Sequence, residues 1–95
     1  MFTYVALIKL TPEGRESLKE APKYLEKIKL FVEKEKGELE ATFAMMGPWD
    51  FFAIVKYPTV EAAFTAHAKI ATLDVIEVET FPVEEVEHFI KAVTV

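Results

Sequence analysis

The sequence feature that most constrains the fold is a corner between two strand-like segments, Gly47-Pro48-Trp49-Asp50. Glycine supplies backbone freedom at such a corner, and proline pre-sets φ for a tight turn. The Asp50 carboxylate can accept hydrogen bonds from local backbone N–H groups and so lock the corner. The flanking segments, residues 39–46 and 51–57, are rich in side chains that favour strands. The sequence therefore predicts a central β-hairpin with its tip at residues 47–50.

Residues 2–10 predict a second kind of strand, with apolar side chains on both of its faces. One face carries Tyr4, Ala6 and Ile8, and the other carries Val5 and Leu7. A strand that is apolar on both faces is typical of the centre of a sheet that is covered on two sides.

A long helical segment lies between this strand and the hairpin. Thr11 supplies an N-cap oxygen and Pro12 a pre-set first helical residue, and we expect helix to about Lys36 with a restart at Pro22. Gly37 is expected to end it as a C′ glycine. Side chains spaced three and four apart predict one buried stripe: Leu18, Ala21, Leu25, Ile28 and Val32.

The second half of the chain repeats the pattern. Thr59 caps a helix that runs to residue 72, and residues 75–81 form the last strand. Pro82 then opens a terminal helix whose inner side is expected to carry Val86, Phe89, Ile90 and Val93. The order β-α-β-β-α-β plus a helix predicts one α+β domain over residues 1–95, a ferredoxin-like sandwich with sheet order 4-1-3-2 and its helices on one face.

The other face of the sheet is predicted to be apolar as well, because both sides of residues 51–55 carry apolar side chains. The chain has 95 residues, of which 52% are hydrophobic, a high fraction for so short a chain. We therefore expect a homodimer in which two sheets pack face to face around a two-fold axis, with further association left open.

Composition excludes several classes of function. The net charge of −5 leaves no basic face for direct nucleic-acid binding, and the absence of cysteine excludes thiolate catalysis and cysteine-based zinc sites. Glu84, Glu85 and His88 have helical spacing but lack a third committed metal ligand, so no metal and no cofactor are expected. The start of the sequence has no signal-peptide pattern and no apolar run is long enough to span a membrane, so we expect a cytoplasmic protein.

The corner and the element order together resemble the GYD-domain family of the dimeric α/β-barrel superfamily. The family's Gly-x-Tyr-Asp motif corresponds to residues 47–50, with Trp49 in place of tyrosine. The corner is also similar to that of the ligand-sensing domain of Lrp/AsnC-type regulators, which bind small effectors at subunit interfaces. The resemblance implies a fold and a dimer; it does not imply a defined biochemical activity.

Three residues are candidates for ligand binding: His67, Trp49 and Tyr4. His67 is expected in the middle of the apolar arc of the second helix, facing the sheet; that arc comprises Val60, Ala63, Phe64, Ile70 and Ala71. It could line a pocket as a proton shuttle or haem ligand, or it could be a buried core imidazole. Trp49 could meet a ligand or a partner, or it could be an aromatic lid on the turn that Gly47 and Asp50 are expected to hold.

No catalytic constellation is present in the sequence. The function predicted is a small homodimeric module that binds a small ligand or serves in regulation. The alternative is a cofactor-independent or haem-handling enzyme of the dimeric barrel type, monooxygenase-like, with His67 as its central residue.

Overall fold

A computed structural model describes residues 1–94. These residues form four strands and four α-helices in the order β-α-α-β-β-α-β-α, with one 3-10 turn at Leu18–Glu20 between the first two helices. The strands are β1 Phe2–Leu10, β2 Glu38–Ala44, β3 Phe51–Tyr57 and β4 Ile76–Pro82. The helices are α1 Pro12–Glu16, α2 Ala21–Lys34, α3 Val60–Ile70 and α4 Val86–Val93.

The four strands form one antiparallel sheet in the order β2-β3-β1-β4. This is the predicted order 4-1-3-2, counted from the opposite edge. Ala6, at the centre of β1, lies opposite Ala53 on one side and Thr80 on the other. The chain is therefore a ferredoxin-like α+β domain, as predicted.

The core lies between one face of this sheet and helices α2 and α3. On β1 the buried side chains alternate with partly exposed ones, as the two-faced pattern predicts. The core comprises Tyr4, Ala6, Ile8 and Leu10 from β1, Ala53, Val55 and Tyr57 from β3, Ile76 from β4, and Ile28, Val32, Ala62, Ala63, Ala66 and Ile70 from the helices. Most of the α3 contribution is alanine, which lets this helix lie close to the sheet.

Both predicted N-caps are confirmed. The Thr11 hydroxyl accepts a hydrogen bond from the Gly14 N–H at 3.2 Å, and the Thr59 hydroxyl accepts one from the Ala62 N–H at 3.0 Å. These bonds satisfy N–H groups that have no partner within the first turn of a helix, and so they fix where α1 and α3 begin.

The first helical segment differs from the prediction at both ends. Leu18 lies in the 3-10 turn and is 56% exposed, so it does not belong to the buried stripe. At the far end, the C′ residue with positive φ is Lys36, at 60°, and not Gly37. A Schellman pair of hydrogen bonds, from Lys36 to Glu33 and from Gly37 to Val32, holds the end of α2.

Gly37 is needed for a different reason. A Cβ at this position would lie 2.8 Å from the Tyr57 ring and 2.9 Å from Val32 Cγ1. The glycine therefore permits close packing of the chain on the core, and the strained backbone conformation falls on the residue before it.

The predicted hairpin is present, with a longer connection than expected. β2 ends at Ala44 and not at Met46, because the ladder closes with the Met45 N–H donating to the Asp50 carbonyl at 2.8 Å. Residues 46–49 then form the tip, and Met46 is fully exposed. β2 also contains an irregularity between Leu39 and Ala41 that shifts its register.

The sheet face away from α2 and α3, here called the open face, is apolar across its middle. Two cross-strand rows show this: Phe43, Phe52 and Leu7 form one, and Ala41, Ile54, Val5 and Phe81 form the other. The Phe43 and Phe52 rings stack with centroids 5.4 Å apart. Charged side chains bound these rows: Glu79 ends the first row on β4, Lys9 and Glu77 lie beyond that row, and Glu38 and Lys56 lie beyond the second. Within residues 1–94, helices α2 and α3 pack on the opposite face of the sheet, and no helix packs on the open face.

The terminal helix begins later than predicted and does not pack on the core. Pro82 is the last residue of β4, and α4 starts at Val86. Its expected inner side, which includes Phe89 and Ile90, is exposed, because α4 makes few contacts with the sheet or with the other helices. Among residues 1–94, no helix has both the length and the apolar character that a membrane span requires.

Tyr57 shows how burial couples the core to pH. Its ring meets the Tyr4 ring edge-on, with centroids 5.7 Å apart. Burial first, and then the nearby Glu35 carboxylate and Tyr4, raise the pKa of Tyr57 to about 12. The folded state therefore holds the phenol proton more tightly than the unfolded chain does, in which the pKa is 10.0.

We predict that this proton contributes stability that is fully present below pH 10 and is lost as the pH rises to about 12. The expected loss is about 2–3 kcal/mol of the free energy of unfolding. Urea denaturation across this pH range measures it, with Tyr57→Phe as the comparison. Lysine titration affects both proteins, so only a steeper decline in the wild type supports the assignment; parallel curves would contradict it.

Candidate functional site

The sequence-predicted site residues fall in two separate places. Tyr4 and His67 line one cleft beside α3. Gly47, Trp49 and Asp50 lie at the hairpin tip, next to the other end of β1. The two places are separated by about 20 Å along β1, from the strand rise per residue. The structure therefore groups two of the three candidate ligand-binding residues and separates Trp49 from them.

The cleft between α3 and β4 has a volume of about 350 Å³. Its apolar wall consists of Tyr4, Val60, Ala63, Phe64 and Pro82. Two polar side chains, those of His67 and Thr80, complete the lining. The cleft is open to solvent on the side of Phe64, whose side chain is 71% exposed.

His67 and Thr80 form a direct pair across this cleft. The distance between His67 Nδ1 and Thr80 Oγ1 is 2.8 Å, and both side chains are partly buried. If Nδ1 carries the proton, Nε2 is an acceptor; if the Thr80 hydroxyl donates to Nδ1, Nε2–H is a donor. Either way the bond fixes the ring orientation and leaves Nε2 as the second polar atom of the imidazole.

The position of His67 differs from the prediction. The buried face of α3 consists of Ala62, Ala63, Ala66 and Ile70, and its centre is Ala66. Val60, Phe64 and Ala71, expected on the buried arc, are exposed. His67 therefore lies at the edge of that face, half-buried, where a molecule in the cleft can reach it.

Sequence reasoning missed Thr80. The signal was available in the alternation of β4, which places Ile76, Val78 and Thr80 on the helix side of the sheet. Thr80 is the polar member of that set, and a hydroxyl on a buried face requires a partner. His67 is that partner.

At the hairpin tip, Asp50 joins the tip to β1. Its carboxylate Oδ2 accepts a hydrogen bond from the Leu10 N–H at 2.7 Å, and its own N–H donates to the Ile8 carbonyl at 2.9 Å. The sequence predicts that this carboxylate accepts hydrogen bonds from backbone N–H groups of the turn itself. That prediction is wrong about the partner, because the Leu10 N–H lies 40 residues away in sequence. Arg15 lies 3.6 Å from the same oxygen but is mostly exposed.

Gly47 has φ of 131°, a conformation that L side chains rarely adopt, and a Cβ there would meet no atom within 4 Å. Glycine is therefore needed at this position for the backbone conformation of the tip, and not for close packing. Trp49 is half-buried beside it. Neither residue approaches the His67 cleft.

A second, charged groove lies at the end of the open face. It has a volume of about 580 Å³, and its lining includes Thr3, Glu38, Lys56 and the chain after β4. Lys56 pairs with Glu40 at 3.0 Å, and this hydrogen bond and charge raise the pKa of Lys56. Within the described residues, no three histidine or acidic side chains converge on a possible metal position.

The sheet order, the two packed helices and the tip corner define the class, a ferredoxin-like α+β domain. Within that class, the sequence model of the GYD domain matches residues 4–93. The chain therefore belongs to the GYD domain family. A comparison of the sequence with curated proteins finds no match.

Solved structures share the fold at low sequence identity. The leucine response regulatory protein LrpA of Mycobacterium tuberculosis aligns with a TM-score of 0.63 and 18% identity, over 88% of this chain and 51% of that one. A feast or famine regulatory protein from M. tuberculosis, complexed with L-methionine, aligns with a TM-score of 0.61 and 16% identity, over 90% of this chain and 51% of that one. TTHA0845 from Thermus thermophilus aligns with a TM-score of 0.58 and 18% identity, over 90% of this chain and 95% of that one. The chain thus spans about half the length of the two mycobacterial regulators.

The contacts of Asp50 generate a prediction about stability. Asp50→Ala removes a charge-assisted bond to a backbone N–H and is expected to lower the free energy of unfolding by about 1–3 kcal/mol. Arg15→Ala removes the exposed ion-pair partner of the same carboxylate and is expected to cost less than about 0.5 kcal/mol. Urea denaturation of the two variants checks the difference. Equal losses would show that the ion pair, and not the Leu10 bond, holds the tip.

Proposed function

We propose that the protein is a homodimeric module that binds a small, uncharged, mostly apolar molecule in the cleft beside His67. The observation that carries the proposal is the cleft itself, with apolar walls and one ordered polar pair. The GYD family model and the ligand-sensing fold of the structural neighbours support a binding role.

The size and lining of the cleft define the ligand class. A volume of about 350 Å³ lies at the small end of the range for ligand sites. Apolar walls favour an aliphatic or aromatic body, and the imidazole Nε2 offers one directional hydrogen bond. A small alcohol, phenol or ketone has this combination of groups.

The charge of the lining argues against a free amino acid. None of the residues that line the cleft is aspartate, glutamate, lysine or arginine. A bound amino acid would have to desolvate its carboxylate and ammonium groups without an opposite charge, which is costly. The methionine complex of the mycobacterial regulator is therefore not a guide to the ligand of this chain.

The proposed dimer forms through the open face. A contiguous apolar patch that is bounded by charged side chains is typical of an interaction surface. A second copy offers the matching sheet, and a two-fold axis satisfies both faces at once. The His67 cleft lies on the helix side of the sheet, so this dimer leaves each cleft on the helix side of its own sheet.

The ligand proposal is tested by NMR titration of the isotope-labelled protein with benzyl alcohol and, separately, with L-methionine. We expect saturable shifts at His67, Thr80 and Phe64 with the alcohol and none with the amino acid. Phe64→Ala removes an exposed wall residue and is expected to weaken alcohol binding several-fold. Leu30→Ala, a similarly exposed apolar truncation on α2, serves as the matched control and should leave binding unchanged.

Two results would contradict the proposal. A response to L-methionine without one to the alcohol would place the protein with amino-acid sensors. A haem Soret band that appears on mixing and disappears in His67→Ala would assign the cleft to the haem-handling alternative.

A further inference from the structure

Helix α4 has an apolar stripe that no part of residues 1–94 covers. Val86, Phe89, Ile90 and Val93 have the spacing of one helix face, and each is about half or more exposed. The helix has eight residues, and isolated helices this short are marginal in water without tertiary packing. A stable α4 therefore needs an apolar surface against its stripe.

The chain before α4 holds this helix on the side of the open face. The Val83 N–H donates to the Thr3 carbonyl at 3.0 Å, which continues the β4 pairing past Pro82. Residues 83–85 then share a groove with Thr3, Lys56 and Glu38, the row at the end of the open face. The chain's own His67 cleft lies on the opposite, helix side of the sheet. The segment that leads into α4 therefore lies at the margin of the open face, and none of residues 86–93 lines the chain's own cleft.

The area of the open face indicates why a second copy needs α4. Four strands of about seven residues give a flat footprint of about 440 Å² from the standard strand spacings. Only two of the four cross-strand rows of the open face are apolar, so the apolar part is about half of that footprint, far below the roughly 800 Å² of accessible surface that a stable interface takes from each partner. An eight-residue helix adds a footprint of about 120 Å², and under a two-fold axis each copy both provides and receives one.

We infer that α4 is an arm that packs its apolar stripe on the second copy in the sheet-to-sheet dimer, at the margin of the partner's open face. The inference rests on the dimer of the proposed function. The charged side of α4, with Glu87, His88 and Lys91, faces solvent in this arrangement. The dimer is then closed by two reciprocal α4 contacts.

Sedimentation equilibrium on matched double variants tests the arm. Phe89→Ser with Ile90→Ser removes the centre of the stripe, and Glu87→Ala with Lys91→Ala changes the charged side of the same helix. Each substitution occurs twice in a dimer, so we expect the stripe variant to raise the dimer dissociation constant at least a hundredfold. The charged-side variant should change it less than threefold. Circular dichroism of both variants checks that the monomer fold is retained.

Several outcomes would overturn the arm. An unchanged dissociation constant in the stripe variant would contradict it while leaving the sheet-to-sheet dimer intact. Loss of a tetramer with retention of the dimer would assign α4 to contacts between dimers instead. A wild type that is monomeric throughout would contradict the dimer and the arm together, whereas the ligand titration tests the cleft separately.

A spin label locates the arm directly, because the chain has no cysteine of its own. Lys91→Cys carrying a nitroxide is mixed with isotope-labelled wild type, which cannot take the label, so that broadening reports contacts between chains only. We expect broadening at amides of the open face, including those of Val5, Ile54 and Phe81. Broadening confined to α3, or absent between chains, would contradict the inference.

Discussion

The structure depends on one mismatch: the sheet is apolar on both faces, and the chain supplies helices for only one of them. β1 shows the mismatch in its own residues, with Ile8 buried under the helices and Leu7 on the open face. An apolar face of this extent in water is unfavourable, at roughly 25 cal/mol for each Å² left uncovered. The dimer proposed above covers the open face, and the His67 cleft lies on the helix side of the sheet, away from that interface.

The cleft exists because α3 packs closely at its centre and loosely at its edge. Ala66 lies at the buried centre of α3, and the larger Phe64 and His67 line the cleft at the edge of that face. Thr80 orients the imidazole there, so the site has a fixed polar group within apolar walls. A ligand that enters would cover the exposed part of Phe64, which links binding to the burial of apolar surface.

Periodicity and capping residues were sufficient to predict the element order, the sheet order and the faces of β1, because these depend on local patterns. Contacts between distant residues were not predictable in this way. Asp50 binds the Leu10 N–H across 40 residues, and Thr80 meets His67 only after β4 has docked beside α3. The apolar stripe of α4 predicted a buried inner side, and this prediction is wrong for residues 1–94, in which the stripe is exposed.

The most direct test of this account is sedimentation equilibrium across the micromolar range for the wild type and two lysine variants. Ile54→Lys places a charge in the middle of the open face without entering the core, and Thr65→Lys adds the same charge on the exposed side of α3. The account predicts a dimer for the wild type and Thr65→Lys, and a folded monomer for Ile54→Lys. A wild type that remains a stable folded monomer, or an Ile54→Lys variant that dimerises as tightly as the wild type, would contradict it.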